Sequence, residues 1–359
     1  SASPVATQIG DMNVGIFTPD GTNVVIGQFS VAKATGLAEI IGHINAEFAD
    51  NPGIRPGDAF IANDPYLGIM HQNDVCLLLP VFADQRLIGW AGADIHQVDV
   101  GGPTPGQVQL GARDIFGEAP VMPPVKIMED SRWRPDIERW YLRNCRIPDV
   151  VALDLRAKLA ACRALESRMG ELHGELGHDG LQAFFERMIA ETEMLFRAKL
   201  RKIPDGEWAH RNYLEFDGEV YRLMVTVQKR DGDLTIDFTG TAPQAPATIN
   251  MTGKATRAWL AGNVCDVLLR DIPWHIGGLN RVMKVTTVPG TLVDPTFPAG
   301  VSKSTTSVGL LMSSTVKLAL NKMLRCCPEL AETATAGWPG GKAQEEIHGL
   351  NQHGRRYAA

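Results

Sequence analysis

The residues best able to do chemistry lie between positions 57 and 125, in a stretch rich in glycine and proline. His71 and Asp74 are three residues apart, and His96 follows at the end of the next apolar run. Two imidazoles and a carboxylate offer mixed nitrogen and oxygen ligands. Such a set suits zinc, manganese or iron and leaves coordination positions open for a substrate. For these three to meet, the chain between them must fold back. Asp74 to Phe82 reads as one strand, Ala83-Asp84-Gln85 as a polar link, and Arg86 to His96 as a second strand. A hairpin with that three-residue loop sets Phe82 against Arg86, Asp74 opposite Asp94, and Gln72 opposite His96. Strand alternation then puts Gln72, Asp74, Asp94 and His96 on one face, within side-chain reach of one another. His71 joins them only if it sits in the irregular entry to the strand. The same spacing also fits a polar hairpin mouth whose histidines and aspartate simply hydrogen-bond one another.

Other candidates flank this set. Asp99, three residues past His96, could orient an imidazole, as metal-bound histidines require. Glu118 and Asp114 could serve as a general base. Gly102-Pro-Thr-Pro-Gly106 is a stiff loop that could wall a pocket, or an ordinary surface turn. His275, beside Trp274 and Gly277-Gly278, is read as a packing histidine. His43 belongs to a helix face, and His173 and His178 mark helix ends.

The elements that position these residues can be read from periodicity. Asn13 to Phe17 and Val24 to Gly27 flank a Pro-Asp-Gly turn and read as a hairpin. Leu37, Ile40, Ile41, Ile44 and Phe48 recur at helical spacing from Ser30 onward, and Asp50-Asn-Pro-Gly53 stops that helix. Residues 149–200 are mostly helical, broken near His178-Asp-Gly180, and the simplest arrangement is an antiparallel helical hairpin. Its apolar stripe is either internal or part of an interface. After Ile203-Pro-Asp-Gly206 the period changes to two. Tyr221 to Gln228 and Leu234 to Phe238, separated by an Asp-Gly turn, form a further hairpin signal. Lys254 to Leu269 and Thr305 to Leu324 read as helices, and Val282 to Val288 as a strand. The expected fold class is therefore α+β: a β-rich metal-site unit over 1–148, a helical hairpin over 149–202, and an α+β unit over 203–359.

Composition narrows the function classes. The 359 residues are 44% hydrophobic and 21% charged, enough for a sizeable core. Thirty-five basic and forty-one acidic side chains leave a net charge of −6, which argues against a nucleic-acid binder. No apolar run approaches the ~20 residues of a bilayer span. The six cysteines form no CxxC pair and are expected to be reduced thiols in a cytoplasmic protein. There is no GxxxxGK[ST], GxGxxG after a strand, or GxSxG, so any ATP requirement calls for another polypeptide.

Several strings resemble the hydantoinase B/oxoprolinase family. They are Asn63-Asp-Pro-Tyr-Leu-Gly68, Met70-His-Gln-Asn-Asp-Val75, His96-Gln-Val-Asp-Val-Gly-Gly-Pro103 and Ala112-Arg-Asp-Ile-Phe-Gly-Glu118. Tyr141-Leu-Arg-Asn-Cys-Arg-Ile-Pro148, Ala152-Leu-Asp-Leu-Arg-Ala157 and Ile203-Pro-Asp-Gly206 fit as well. The forms at 70–74 and 96–103 resemble the ketone carboxylases of that family, the acetone and acetophenone carboxylase large subunits. The resemblance implies a divalent metal on His71, Asp74 and His96. Asp11 occupies the place of an N-terminal aspartate used by lactam-cleaving members, or is a turn carboxylate. It implies ATP bound by a hydantoinase A-like partner subunit within a hetero-oligomer, to which a small third subunit can be added. The implied reaction joins a bicarbonate-derived carboxyl to the enolate of a ketone. Opening of a cyclic amide is the alternative enzyme reading, and a non-catalytic assembly paralogue is the third. Family members extend further at both ends, so the chain is expected to be a piece of a longer subunit.

Overall fold

A computed structural model of the chain describes residues 2–27 and 30–334, together with backbone strands at 348–350 and 356–358. The N-terminal half is built on one antiparallel sheet. Its strands are β1 (Met12–Phe17), β2 (Asn23–Ile26), β3 (Ala59–Ala62), β4 (Asp74–Ala83), β5 (Arg86–His96), β6 (Val125–Glu129) and β7 (Arg132–Trp133). Their spatial order is β2-β1-β5-β4-β3-β6-β7. Helix α1 (Val31–Glu47) covers one face, and α2 (Pro135–Arg143) and α3 (Pro148–Leu200) lie on the other side.

Covering both faces explains why β4 reads as an unbroken apolar run. Cys76 and Leu78 pack with Phe17, Phe60 and Trp90 against Leu37, Ile40, Ile41 and Ile44 of α1. Val75, Leu77, Leu79 and Val81 point the other way, onto Leu155, Cys162, Leu181, Phe185 and Ile189 of α3. The α3 stripe is thus largely internal, although Met194 stays 61% exposed. The expected break in this helical stretch is a single residue, Gly177, at φ 70°.

The β4–β5 register differs from the sequence expectation. The turn has two residues, Asp84 and Gln85, both at positive φ, and not three. Ala83 then pairs Arg86, and Ile88 bulges out so that Val81 pairs Gly89. A β-carbon on Gly89 would meet the Phe17 carbonyl oxygen at 2.5 Å, so the bulge fits glycine only. The net shift is two residues. His96 lies directly opposite Asp74, and Asp94 opposite Cys76.

The C-terminal unit has a second sheet of β8 (Gly206–Phe216), β9 (Glu219–Arg230), β10 (Asp233–Asp237) and β11 (Met283–Thr286), in the order β11-β10-β9-β8. Leu223, Val225, Val227, Leu234 and Ile236 pack with α4 (Gly253–Leu268), α5 (Ile276–Val282) and α6 (Leu310–Leu324) in one core. Helix α1 also packs on α4. The mixed helices and sheets make this an α+β fold. The six cysteines are free. No described helix is long and apolar enough to cross a membrane.

Candidate metal centre

The site is assembled where the β4–β5 hairpin, α1 and the segment before β4 converge. Asp74 and His96 share the sheet face that α1 covers. Gly36 of α1 lets the helix approach that segment, because a β-carbon there would lie 2.2 Å from the Gly68 carbonyl oxygen. The chain then turns through His71, whose carbonyl accepts from the Asp74 N–H at 3.0 Å. This irregular entry brings the His71 imidazole back to the Asp74 side.

Ligand atoms of His71, Asp74 and His96 all lie within 4.8 Å of one another. His96 Nδ1 is 3.0 Å from Asp74 Oδ1, and His71 Nε2 is 3.6 Å from Asp74 Oδ2. The two imidazole centroids are 5.0 Å apart and nearly perpendicular. Asp74 Oδ2 and His71 Nδ1 are buried without a hydrogen-bond partner. Orphaned donor atoms of this kind, in a set of two imidazoles and a carboxylate, fit a divalent cation well.

The electrostatics suit the same purpose. Burial pushes the His71 imidazole down to about 3, so it stays neutral with a free lone pair. Burial alone would raise the Asp74 carboxyl, but His71, Lys33 and His96 together hold it well below the usual carboxylate range. Lys33 of α1 reaches into the site. Its ammonium contacts Asp74 and lies 3.4 Å from both Asp11 and Asp94. Although burial opposes its charge, those three carboxylates raise its pKa well above that of a free lysine. Burial also pushes Asp94 up to about 6, against the pull of Lys33.

The other sequence candidates fall in different places. Asp11 sits at the rim, with Oδ2 3.7 Å from His96 Nδ1, beside the three convergent residues but outside their set. The Asp99 carboxylate is bonded away from His96. It accepts from the Gly101 and Arg146 backbone N–H groups and pairs with the Arg146 guanidinium at 2.8 Å. Glu118 accepts from Gln72 at 2.6 Å and from the N–H groups of Val301 and Ser302 at 2.8 and 2.7 Å. It ties the site loop to the C-terminal unit, and neither it nor Asp99 lines the cavity. Asp114 caps a short turn. His275 packs as expected, with Nδ1 2.8 Å from the Val24 carbonyl. The cavity over the site, about 420 Å3, is walled by Val98 and Gln107 and not by Gly102–Gly106.

Sequence reasoning overlooked Lys33 and Trp259, a cavity wall contributed by α4. Lys33 had a signal: it lies on the same helical stripe as Leu37, Ile40 and Ile44, where an unpaired charge would be costly. Nothing in the α4 sequence distinguishes Trp259.

Fold and site together define a membership that the sequence comparison makes explicit. The chain belongs to the hydantoinase B/oxoprolinase family, whose model matches residues 1–356. The B polypeptide of a putative D-/L-hydantoinase from Pseudomonas sp. (strain NS671) is 31% identical over 282 residues, covering 74% of this chain and 46% of that polypeptide. The acetophenone carboxylase delta subunit of Aromatoleum aromaticum is 27% identical over 271 residues, covering 74% and 39%. The nucleotide-free structure of acetone carboxylase, from work on ATP-dependent acetone carboxylation, superposes with a TM-score of 0.85 at 19% identity. That match covers 100% of this chain and 49% of the other. This chain spans under half the length of both curated relatives.

Proposed function

We propose that this chain is the metal-binding part of an ATP-dependent enzyme acting at the carbonyl group of a small substrate, and that it joins a bicarbonate-derived carboxyl to a ketone enolate. The observation that carries this reading is the convergence of His71, Asp74 and His96, with orphaned ligand atoms, at the floor of a cavity of small-molecule size. A divalent manganese, zinc or iron ion held there would supply Lewis acidity toward a substrate oxygen. Lys33 fixes the Asp74 carboxylate and balances part of the negative charge that Asp74, Asp11 and Asp94 bring together. Trp259, Met70 and Leu310 shield the floor from water, which would otherwise consume activated intermediates. ATP would be bound by a hydantoinase A-like partner, since this sequence carries no phosphate-binding loop. Asp99 and Glu118 are assigned to holding loops in place.

The motifs at 70–74 and 96–103 favour carboxylation. A second reading, hydrolysis of a cyclic amide, is favoured by the greater identity to the hydantoinase polypeptide. It gains from the placement of Gln72 and Gln97, which distinguish the carboxylase-like strings. Both are buried away from the cavity, bonded to Glu118 and to the Ile95 carbonyl. One experiment separates the readings. With the partner, ATP and metal, carboxylation incorporates labelled bicarbonate into an acid-stable product of a methyl ketone. Lactam opening at full rate in bicarbonate-free buffer, with no incorporation, would establish the second reading. Metal analysis of His71→Ala and His96→Ala should show loss of the bound ion, and retention in both would defeat either reading.

A further inference from the structure

Lys33 is the third residue of α1. The free N–H groups of a helix start favour an anion there and disfavour a cation. Its placement is explained by three carboxylates from three parts of the chain. Asp74 opens β4, Asp94 lies two residues before the end of β5, and Asp11 immediately precedes β1. One oxygen of each faces the Lys33 ammonium, that of Asp74 in direct contact and those of Asp11 and Asp94 at 3.4 Å. A single ammonium, with three donors, thus serves three anionic acceptors.

The backbone fixes where each carboxylate starts. Asp94 pairs with Asn13 of β1 and Cys76 of β4, so it sits inside the sheet. The Asp11 N–H donates to the Val5 carbonyl at 3.1 Å, and the Asp11 carbonyl accepts from the His96 N–H at 3.0 Å. The side-chain oxygens are less committed. Both oxygens of Asp94, and Oδ2 of Asp74, are buried without a hydrogen-bond partner, and each residue is 1% exposed. Buried carboxylate oxygens of this kind call for a cation. Lys33 also lines the cavity over the site, so that position can be reached from outside. The way in passes Val5 and Ile9 of the N-terminal arm before β1, Trp259 of α4 and Leu310 of α6.

We propose that the Lys33 ammonium stands where a second divalent cation would otherwise bind, and that it holds this centre to a single metal ion. The inference rests on the metal-binding reading of His71, Asp74 and His96. The arrangement resembles a carboxylate-bridged metal pair in which one ion is exchanged for a lysine. Asp74 is the shared group: His71 Nε2 and His96 Nδ1 lie 3.6 and 3.0 Å from its oxygens, and Lys33 contacts it as well. Metal pairs of this kind are about 3.5–4 Å apart. Asp11 and Asp94 bring further oxygens to the lysine's position, and such a set suits a hard divalent ion. Charge enforces the exclusion. Three carboxylates and one ammonium carry two negative charges, which one divalent ion cancels. A second ion beside Lys33 would leave two positive charges in a buried site, at a large desolvation cost.

The test counts ions. The full chain and its Lys33→Ala variant are dialysed against a series of Mn2+ concentrations, and bound manganese is measured per chain. The parent should saturate at one Mn2+ and Lys33→Ala at two. The electron paramagnetic resonance spectrum of the parent should show an isolated ion, and that of loaded Lys33→Ala an exchange-coupled pair. Adding Asp94→Asn to Lys33→Ala should weaken the second ion about tenfold or more. Lys33→Ala strands buried carboxylates, so its fold is followed by circular dichroism in EDTA and in excess Mn2+. If it unfolds in EDTA, Mn2+ should restore it, because ions that bind the folded form stabilise it by mass action. Failure of Mn2+ to restore the fold overturns the proposal. So does saturation of Lys33→Ala at one ion, saturation of the parent at two, or a second ion indifferent to Asp94→Asn. One ion in both parent and Lys33→Ala removes this inference and leaves the metal reading standing. No bound ion in the parent removes both.

Discussion

Replacing Lys33 with Met is the sharpest test of the charge arrangement around Asp74. The lysine side chain is 5% exposed and that of Asp74 1%, so the pair is shielded from solvent. Breaking a buried pair by removing one partner costs ~3–5 kcal/mol, because the other charge is stranded. Here Asp94 is also stranded and Asp11 partly so, which places Lys33→Met toward the upper end of that range. At an unfolding entropy of about 2 cal/mol/K per residue, such a loss lowers the melting temperature of a chain of this size by roughly 4–7 °C. A bound cation would replace part of the missing positive charge, so Mn2+ should protect the variant more than the parent. The pH dependence has a definite sign. The raised Lys33 pKa means its stabilisation is fully present below the ordinary lysine value. That stabilisation requires ionised carboxylates, and Asp94 takes up its proton near about 6. The gap between parent and variant should therefore narrow as pH falls through that value. Urea unfolding at several pH values, in EDTA and in Mn2+, reads all three effects. A loss below about 1 kcal/mol, or a gap that widens in acid, would refute the picture of Lys33 as the site's counter-charge.

Three further outcomes can be checked on the same protein. Lys158 of α3 is buried, donates to the Val75 carbonyl at 2.9 Å, and is pushed down to about 8 by burial. The unfolded chain binds its proton more tightly, so this lysine makes stability rise from pH 8 toward 10.5. Lys158→Met should remove that rise, seen as the difference in urea midpoints between parent and variant. Glu118→Gln places an amide where three donors now converge and should cost about 1–3 kcal/mol, read by chemical unfolding, without shifting the pH profile of turnover. The purified chain alone should leave ATP intact, and adding an ATP-binding partner should restore hydrolysis in a coupled assay.

The hairpins and helices were legible where turn chemistry and periodicity agreed. The β9–β10 hairpin follows from Asp231-Gly232 between alternating runs, and α1 from its Leu37–Ile44 stripe. Strand β8 was not singled out, because Glu207, Arg211 and Glu215 alternate with residues that are only half-buried, leaving little contrast. The register of β4–β5 was missed for a physical reason. Asp84-Gln85 is an uncommon pair for a two-residue turn that needs positive φ twice. Gly89 within the strand was the signal of a bulge. The approach of His71, Asp74 and His96 was readable from spacing. The supporting charges were less so. Lys33, Lys158 and Asp94 each occupy a position where the local period calls for an apolar side chain, and that mismatch is the clue sequence reading can use next.

The wall and the floor of the cavity come from separate parts of the chain. His71, Asp74 and His96 sit on one hairpin and its entry, held by a helix, while Trp259, Leu310 and Ile9 arrive from α4, α6 and the N-terminal arm. Substitutions in such separate neighbourhoods combine nearly additively when they share no partner. The protein is thus an adaptable scaffold for engineering. On the proposed function, the cavity wall can be recast on the arm and the two helices, one residue at a time, while the His71, Asp74 and His96 cluster below is left alone.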